Sequence, residues 1–116
     1  QEAELRYFKI KNKKIFPSRD FVDIKIVCSI IEKVIKKLKK EKLGIKFFNV
    51  GSGVATPIDK IVTHFGKLTK KKININYKII NKKELITTKA NVNKLNKFLN
   101  KNISFSLKES IKSYLS

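Results

Sequence analysis

The sequence has little of what disulfide-rich, zinc-based or membrane folds need. It contains one cysteine, Cys28, and one histidine, His64, in 116 residues. One cysteine excludes an internal disulfide, and these two side chains are too few for a four-ligand zinc site within the chain. No apolar run approaches the roughly 18 residues of a membrane-spanning helix, and the first residues do not have the pattern of a signal peptide. We therefore expect a cytoplasmic protein without a membrane segment.

Acidic residues are also scarce. The chain has 9 of them against 28 lysines and arginines, and its formal net charge is +19. Lysine outnumbers arginine 26 to 2, and lysine, asparagine and isoleucine, whose codons are rich in A and T, make up 53 residues. Arginine is the better side chain for bidentate phosphate and guanine contacts, and the lysines are scattered along the whole chain. We attribute the charge to a nucleotide bias, with a polyanion partner as the open alternative.

The first third of the chain predicts one element firmly. Residues 5–16 contain two short apolar stretches split by polar residues, which is typical of a hairpin or of a poorly defined edge over residues 1–14. From Asp23 onward, apolar positions recur at helical spacing and predict a helix that ends near Gly44. Cys28 belongs to this apolar stripe, so we expect it to be a small, buried core residue.

The next segment predicts a strand, a turn and a second helix. Residues 46–50 are apolar and aromatic, as in a buried strand, and Gly51-Ser52-Gly53 predicts a tight turn after it. A dinucleotide-binding fingerprint would need a third glycine where Thr56 stands, so we interpret the two glycines as turn residues. Thr56 as N-cap and Pro57 as first helical residue predict where the second helix begins.

Strand and helix patterns alternate to the end of the chain. Alternating apolar residues over 73–79 predict a half-buried strand, and residues 90–99 predict a short helix. Ser106 and Glu109 have capping-box spacing and predict a last helix. The length fits one small domain or a piece of a larger one, and the order of elements indicates an α/β, or mixed α+β, fold.

Four separated stretches carry a resemblance to a known family. They are Arg19-Asp20-Phe21-Val22, Phe48 to Gly53, Thr88 to Leu95 and Ile103 to Ile111. In this order they resemble the C-terminal portion of extended short-chain dehydrogenases/reductases, the NAD-dependent epimerases and dehydratases that act on nucleotide sugars. The resemblance covers about residues 15–116. It implies that residues 1–116 are a single partial domain, the substrate-binding segment of a Rossmann-type enzyme.

The same resemblance implies the ligands of the complete enzyme. NAD(P) would be held by the N-terminal dinucleotide-binding part, which is missing from these residues, and the substrate would be a nucleotide sugar. By analogy alone, the resemblance also raises the possibility of a homodimer. We predict no catalytic residue, cofactor-binding residue or metal ligand within this segment.

The resemblance assigns Arg19 to the substrate diphosphate, because the family's arginine at this position contacts it. A planar guanidinium can hold two phosphate oxygens at once and stays charged near neutrality. Where the family often has a second arginine in an Arg-x-Gly-Asp stretch, this chain reads Asn81-Lys82-Lys83-Glu84. Lys82 and Lys83 are therefore candidates for a second positive charge in substrate binding, and a solvated loop is the alternative.

Two other functions stay open. A small lysine-rich nucleic-acid-binding module would use faces such as Lys36-Lys37 and Lys39-Lys40, but we expect the aromatic residues on apolar stripes, not among the lysines. A basic amphipathic helix over residues 24–42, resting on anionic lipid, is a third function, although core packing explains its apolar stripe better. We favour the enzyme segment, with neither nucleic acid nor membrane as a partner.

Overall fold

The computed structural model describes residues 1–40 and 44–116. In chain order they form β1 (Glu2–Ile10), β2 (Lys13–Ile15), β3 (Ser18–Arg19), α1 (Ile24–Leu38), β4 (Thr56–Pro57), α2 (Ile58–Thr69), β5 (Asn74–Ile79), α3 (Asn93–Leu99) and α4 (Leu107–Leu115). The strands make two small sheets, ordered β2-β1-β5 and β3-β4. This part of the chain is a mixed α/β fold, as the sequence predicts.

Strands β1 and β2 form an antiparallel hairpin, which confirms one of the two interpretations of residues 5–16. Ile10 pairs with Lys13, so Lys11 and Asn12 alone make the turn. Both turn residues have positive φ, 47° and 62°, as a two-residue type I′ turn requires. Asparagine adopts this left-handed conformation more readily than most residues, which favours the turn at this place.

The predicted strand over residues 73–79 is confirmed as β5, and its partner is β1. The two strands are parallel, with Glu2 opposite Asn74 and Tyr7 opposite Ile79. Parallel neighbours need a long crossover connection, and here β2, β3, α1, β4 and α2 lie between them. Part of the candidate functional site thus lies in the connection between β1 and β5.

Helix α1 begins where the sequence predicts and ends earlier. The Asp23 carboxylate caps the helix by accepting a hydrogen bond from the Lys25 backbone amide at 2.9 Å. The helix ends at Leu38 with Lys39 as its C-cap, so Gly44 does not terminate it. The predicted continuation over residues 41–43 lies outside the described residues.

The prediction that Cys28 is a buried core residue is wrong. At 3.6 residues per turn, the apolar residues of α1 are too many for one stripe and spread over two faces. The inner face carries the buried Ile30 between the half-buried Val27 and Val34. The outer face, which is exposed, consists of Ile24, Cys28, Ile31 and Ile35. Core packing therefore explains the inner face alone.

We expect Cys28 to react with a maleimide in the folded chain. Its thiol is exposed, so no opening of the structure is needed for the reagent to reach it. Labelling under native conditions should therefore proceed within about threefold of the rate in urea. The time course can be followed by mass spectrometry. Protection of about a hundredfold or more would place Cys28 back in the core.

The predicted start of the second helix is also wrong. Thr56 does not act as N-cap; with Pro57 it forms β4, in which Thr56 pairs with Arg19 of β3. Helix α2 begins at Ile58, whose amide donates to the Pro17 carbonyl at 3.0 Å. Pairing with a distant strand therefore prevails over the local capping preference.

Residues 46–50 are not a buried strand. They have no strand partner in the part of the chain that the structure describes, and the Phe47 side chain is 78% exposed. Phe48 rests on Phe98 of α3, with the ring centroids 4.8 Å apart. A buried strand needs a neighbouring strand to satisfy its backbone groups, and this segment has none here.

The two C-terminal helices confirm the predictions apart from one boundary. Helix α3 begins at Asn93, three residues later than predicted, and buries Leu95. The Ser106 hydroxyl accepts a hydrogen bond from the Glu109 amide at 3.3 Å, which confirms this residue as the N-cap of α4. Within residues 1–40 and 44–116, no helix has the length and apolar character needed to cross a membrane.

Candidate functional site

Asp20 joins three segments that are distant in sequence. Its carboxylate accepts hydrogen bonds from the Ser52 amide at 2.9 Å, the Ser52 hydroxyl at 2.5 Å, the Gly53 amide at 2.9 Å and the Ala90 amide at 3.1 Å. Burial by itself would raise the pKa of Asp20, but these hydrogen bonds outweigh it and hold the pKa below its ordinary value of 3.8. An ionised Asp20 thus fastens the glycine loop and the residues before α3 to the end of β3.

The glycines of the loop allow this close approach. A Cβ atom at Gly51 would lie 2.6 Å from the Ala90 Cβ and 2.8 Å from Oδ2 of Asp20. Gly53 has a φ of +74°, in the left-handed region. Because the Ser52 and Gly53 amides already donate to Asp20, they are not available to a pyrophosphate. The two glycines thus allow the close packing of this loop against Asp20 and Ala90.

Arg19 lies where three backbone segments meet. On one side β3 pairs with β4, and on the other the Ser18 amide donates to the Ile86 carbonyl at 2.8 Å. Nη1 of Arg19 donates to the carbonyls of Ser18 at 2.9 Å and Ile86 at 3.3 Å. Nη2 lies 3.3 Å from Oε1 of Glu84. Two carbonyls and one carboxylate thus orient the guanidinium.

The Arg19 guanidinium keeps donors for a ligand. A guanidinium has five N–H groups, and hydrogen bonds within the described residues use both of those on Nη1 and one on Nη2. The Nε–H and the second Nη2 hydrogen are left. The side chains of Arg19 and Glu84 are 28% and 39% exposed, so solvent screens their ion pair and the Arg19 side chain is partly open to solvent.

Lys82 and Lys83 lie near this junction without contacting Arg19. The segment 81–87 that carries them is tied to β3 by a bridge between Ser18 and Thr87. Both lysine side chains are exposed, as on a solvated loop. The side chain of this segment that contacts the Arg19 guanidinium is the carboxylate of Glu84, and not the ammonium group of Lys82 or Lys83.

Sequence analysis missed two residues of this site, Asp20 and Glu84. The signal for Asp20 was its place beside Arg19 in a stretch that carries the resemblance. Nothing in the sequence indicates the contact of Glu84 with a residue 65 positions away. Across residues 1–40 and 44–116, no three His, Cys, Asp or Glu side chains lie close enough to hold a metal ion.

Comparison with solved structures extends the picture of the fold. No protein-family model and no curated protein matches the sequence. The UDP-glucose 4-epimerase from Bifidobacterium longum, in complex with NAD+ and UDP, has a TM-score of 0.82 and 16% identity over 99% of this chain and 34% of its own. The UDP-glucose 4-epimerase from Stenotrophomonas maltophila, with NAD and formylated UDP-arabinopyranose, has a TM-score of 0.81 and 14% identity over 96% of this chain and 33% of its own.

A third solved structure agrees with these two. RMD from Pseudomonas aeruginosa, complexed with NADPH, has a TM-score of 0.73 and 18% identity over 97% of this chain and 34% of its own. The chain thus spans about a third of the length of the structures it matches. Identities this low establish likeness of fold alone. This chain has a mixed α/β fold that matches the C-terminal part of epimerase folds, over about a third of their length.

Proposed function

We propose that this chain is the substrate-side segment of an NAD-dependent nucleotide-sugar epimerase or dehydratase, and that Arg19 contacts the substrate diphosphate. The proposal depends on the geometry of the Arg19 guanidinium. Two backbone carbonyls orient it, and two of its N–H donors have no hydrogen-bond partner within the described residues. An oriented guanidinium loses less side-chain entropy when a phosphate binds. The fold likeness supports the class of enzyme, and the guanidinium supports the role of this segment.

The ion pair with Glu84 is compatible with this role. An exposed pair of this kind contributes about 0.5 kcal/mol, whereas a bidentate contact between arginine and phosphate is stronger. A diphosphate therefore replaces Glu84 at the guanidinium. Lys82 and Lys83, on the same exposed segment, add positive charge around the phosphates as point charges.

The chain's own part in the reaction is to hold the substrate. The amides of the glycine loop donate to Asp20 and are not free for NAD(P), so we expect residues outside this chain to hold the cofactor. Bound there, oxidised NAD(P)+ would supply the acceptor for a hydride from a sugar carbon, with the hydroxyl proton passing to a base outside this chain, and the resulting carbonyl would activate the neighbouring positions. Arg19 orients the diphosphate, and through it the sugar, for that step.

The exposed outer face of α1 is what we expect of a segment that packs against another part of a larger protein. Its stripe of exposed apolar residues runs the length of the helix, and such a continuous patch on a soluble domain marks an interface. In the family that this chain resembles, helices of this region pack partly against the dinucleotide-binding part. We expect that part to cover the stripe, with a homodimer as the alternative.

Arg19→Lys tests the diphosphate contact. Lysine keeps the charge but lacks the planar fork, so we expect the affinity of the chain for UDP to fall about tenfold, which corresponds to about 1.4 kcal/mol. Isothermal titration calorimetry with UDP measures the change. Arg6→Lys is the matched control, because Arg6 is the other arginine and lies exposed on β1; it should bind UDP as the unchanged chain does.

Two results would contradict the assignment. One is equal UDP affinity for the Arg19→Lys and Arg6→Lys variants. The other is the absence of measurable UDP binding to the unchanged chain at millimolar concentration. Circular dichroism of both variants checks that the fold is retained.

A further inference from the structure

The ion pair between Arg19 and Glu84 joins a guanidinium that other contacts orient to a carboxylate that has no second contact. Nη1 of Arg19 donates to the carbonyls of Ser18 at 2.9 Å and Ile86 at 3.3 Å, and neither bond involves Glu84. Oε1 of Glu84 lies 3.3 Å from Nη2, and this is the carboxylate's one hydrogen bond within residues 1–40 and 44–116. The guanidinium therefore stays oriented when the carboxylate leaves it.

The backbone that carries Glu84 is anchored a few residues further along the chain. The Ser18 amide donates to the Ile86 carbonyl at 2.8 Å, and the Thr88 amide donates to the Ser18 carbonyl at 3.1 Å. The Leu85 side chain, between Glu84 and this anchor, is 69% exposed. The carboxylate can therefore move away from the guanidinium without breaking a backbone hydrogen bond of the anchor.

An incoming anion meets the Glu84 carboxylate at the guanidinium. Carboxylate and phosphate groups accept hydrogen bonds from the same N–H donors, so a phosphate that binds Nη2 of Arg19 has to displace Glu84. The displaced carboxylate stays near, because the anchor at Ile86 is two residues away and two residues span at most about 7 Å. This is within the Debye length of about 8 Å at physiological ionic strength, so the carboxylate repels the bound phosphate.

We propose that Glu84 is an internal competitor, which occupies the Arg19 guanidinium in the free chain and lowers its affinity for anionic ligands. The inference rests on the proposed function, because it concerns the same guanidinium. A ligand with a single carboxylate gains nothing by replacing Glu84, whereas each phosphate group carries about −1.5 to −2 and can bind the guanidinium with two oxygens. Glu84 thus restricts the site to phosphate ligands of high charge.

The variant Glu84→Gln tests the competition, because glutamine keeps the length of the side chain and removes its charge. Isothermal titration calorimetry measures UDP binding to the 116-residue chain. At about 50 mM NaCl we expect the affinity of the variant for UDP to be about fivefold higher, since both the ion pair and the repulsion of the bound phosphate are lost. At about 1 M NaCl the gain should fall below about twofold, because salt screens both effects.

The matched control is Glu4→Gln, which removes the same charge from an exposed ion pair in the other sheet. The Glu4 carboxylate on β1 lies 2.9 Å from the ammonium group of Lys78 on β5. Its UDP affinity should rise by less than about twofold, because only long-range repulsion is lost. Both variants should melt within about 3 °C of the unchanged chain, since exposed ion pairs contribute little to stability.

Inorganic pyrophosphate distinguishes a competitor at the guanidinium from a contact with the nucleoside. It contains the two phosphates alone, so its affinity should rise with Glu84→Gln by the same factor as that of UDP. A UDP affinity of Glu84→Gln equal to or below that of Glu4→Gln, or a gain for UDP without one for pyrophosphate, would overturn the inference. The comparison of Arg19→Lys with Arg6→Lys decides separately whether Arg19 contacts the diphosphate, so failure of the inference and failure of the proposed function are distinguishable.

Discussion

Replacing Asp20 by alanine is expected to lower the free energy of unfolding by about 3 kcal/mol, because hydrogen bonds to a charged group contribute about 1.5–3 kcal/mol each and water replaces some of them. The carboxylate accepts four hydrogen bonds, three of them from backbone amides of Ser52, Gly53 and Ala90. Without it, these partly buried amides lose their acceptor. Urea denaturation followed by circular dichroism measures the change.

Asp23→Ala is the matched control for this variant. Asp23 is a nearby aspartate whose carboxylate accepts one hydrogen bond, from the Lys25 amide. Loss of such an N-cap costs about 1 kcal/mol. A loss for Asp20→Ala no larger than that of Asp23→Ala would show that Asp20 does not hold the three segments together.

The acid dependence of stability gives a second readout for Asp20. Its pKa in the folded chain is below the ordinary value of 3.8, so around and below that value the unfolded chain binds more protons than the folded one. The stabilisation by Asp20 is therefore complete well above pH 3.8 and is lost as the pH falls through the folded-state pKa. The stabilities of the unchanged chain and Asp20→Ala should converge in acid.

Gly51→Ala is expected to lower the free energy of unfolding by about 2 to 3 kcal/mol, since overpacking a well-packed position typically costs about 1–3 kcal/mol and here it also disturbs hydrogen bonds. The new Cβ would lie 2.6 Å from the Ala90 Cβ and 2.8 Å from Oδ2 of Asp20. Either Ala90 or Asp20 must move, and both take part in the same junction. Urea denaturation again measures the effect.

Two comparisons separate this cause from a general effect of alanine. Gly44→Ala is the control, because no non-neighbouring atom of the described residues lies within 4 Å of a Cβ at that position, and its effect should be within about 0.5 kcal/mol of zero. In the Asp20→Ala background, Gly51→Ala should cost less, since one of the two clashing groups is gone. Additive losses would mean that Gly51 and Asp20 do not interact.

The elements that sequence reasoning predicts well depend on residues a few positions apart. Helix α1 begins where its apolar spacing begins, and Ser106 caps α4 through the amide three residues on. The alternation of apolar and polar residues over 73–79 is likewise visible within one short segment, and this segment contains β5. Such signals can be recognised in the sequence because both partners of each interaction lie in one short stretch.

Only part of the candidate site could be predicted, because most of its contacts join residues that are far apart in the sequence. The resemblance singled out Arg19, but its contacts with Ile86 and Glu84 span 67 and 65 positions. The role of Asp20 depends on loops 32 and 70 positions away. No local pattern reports such contacts, because they exist only after β3, β4 and the segment 81–87 have come together.

The amino-acid sequence by itself determined the α/β character, the Ser106 cap of α4 and the beginning of α1. Only the tertiary structure decided which apolar residues are buried: Cys28 faces outward, residues 46–50 have no strand partner among the described residues, and Thr56 pairs with Arg19 instead of capping α2. The physical reason is that periodicity and capping are properties of one segment, whereas burial and strand pairing are properties of the segments that meet it.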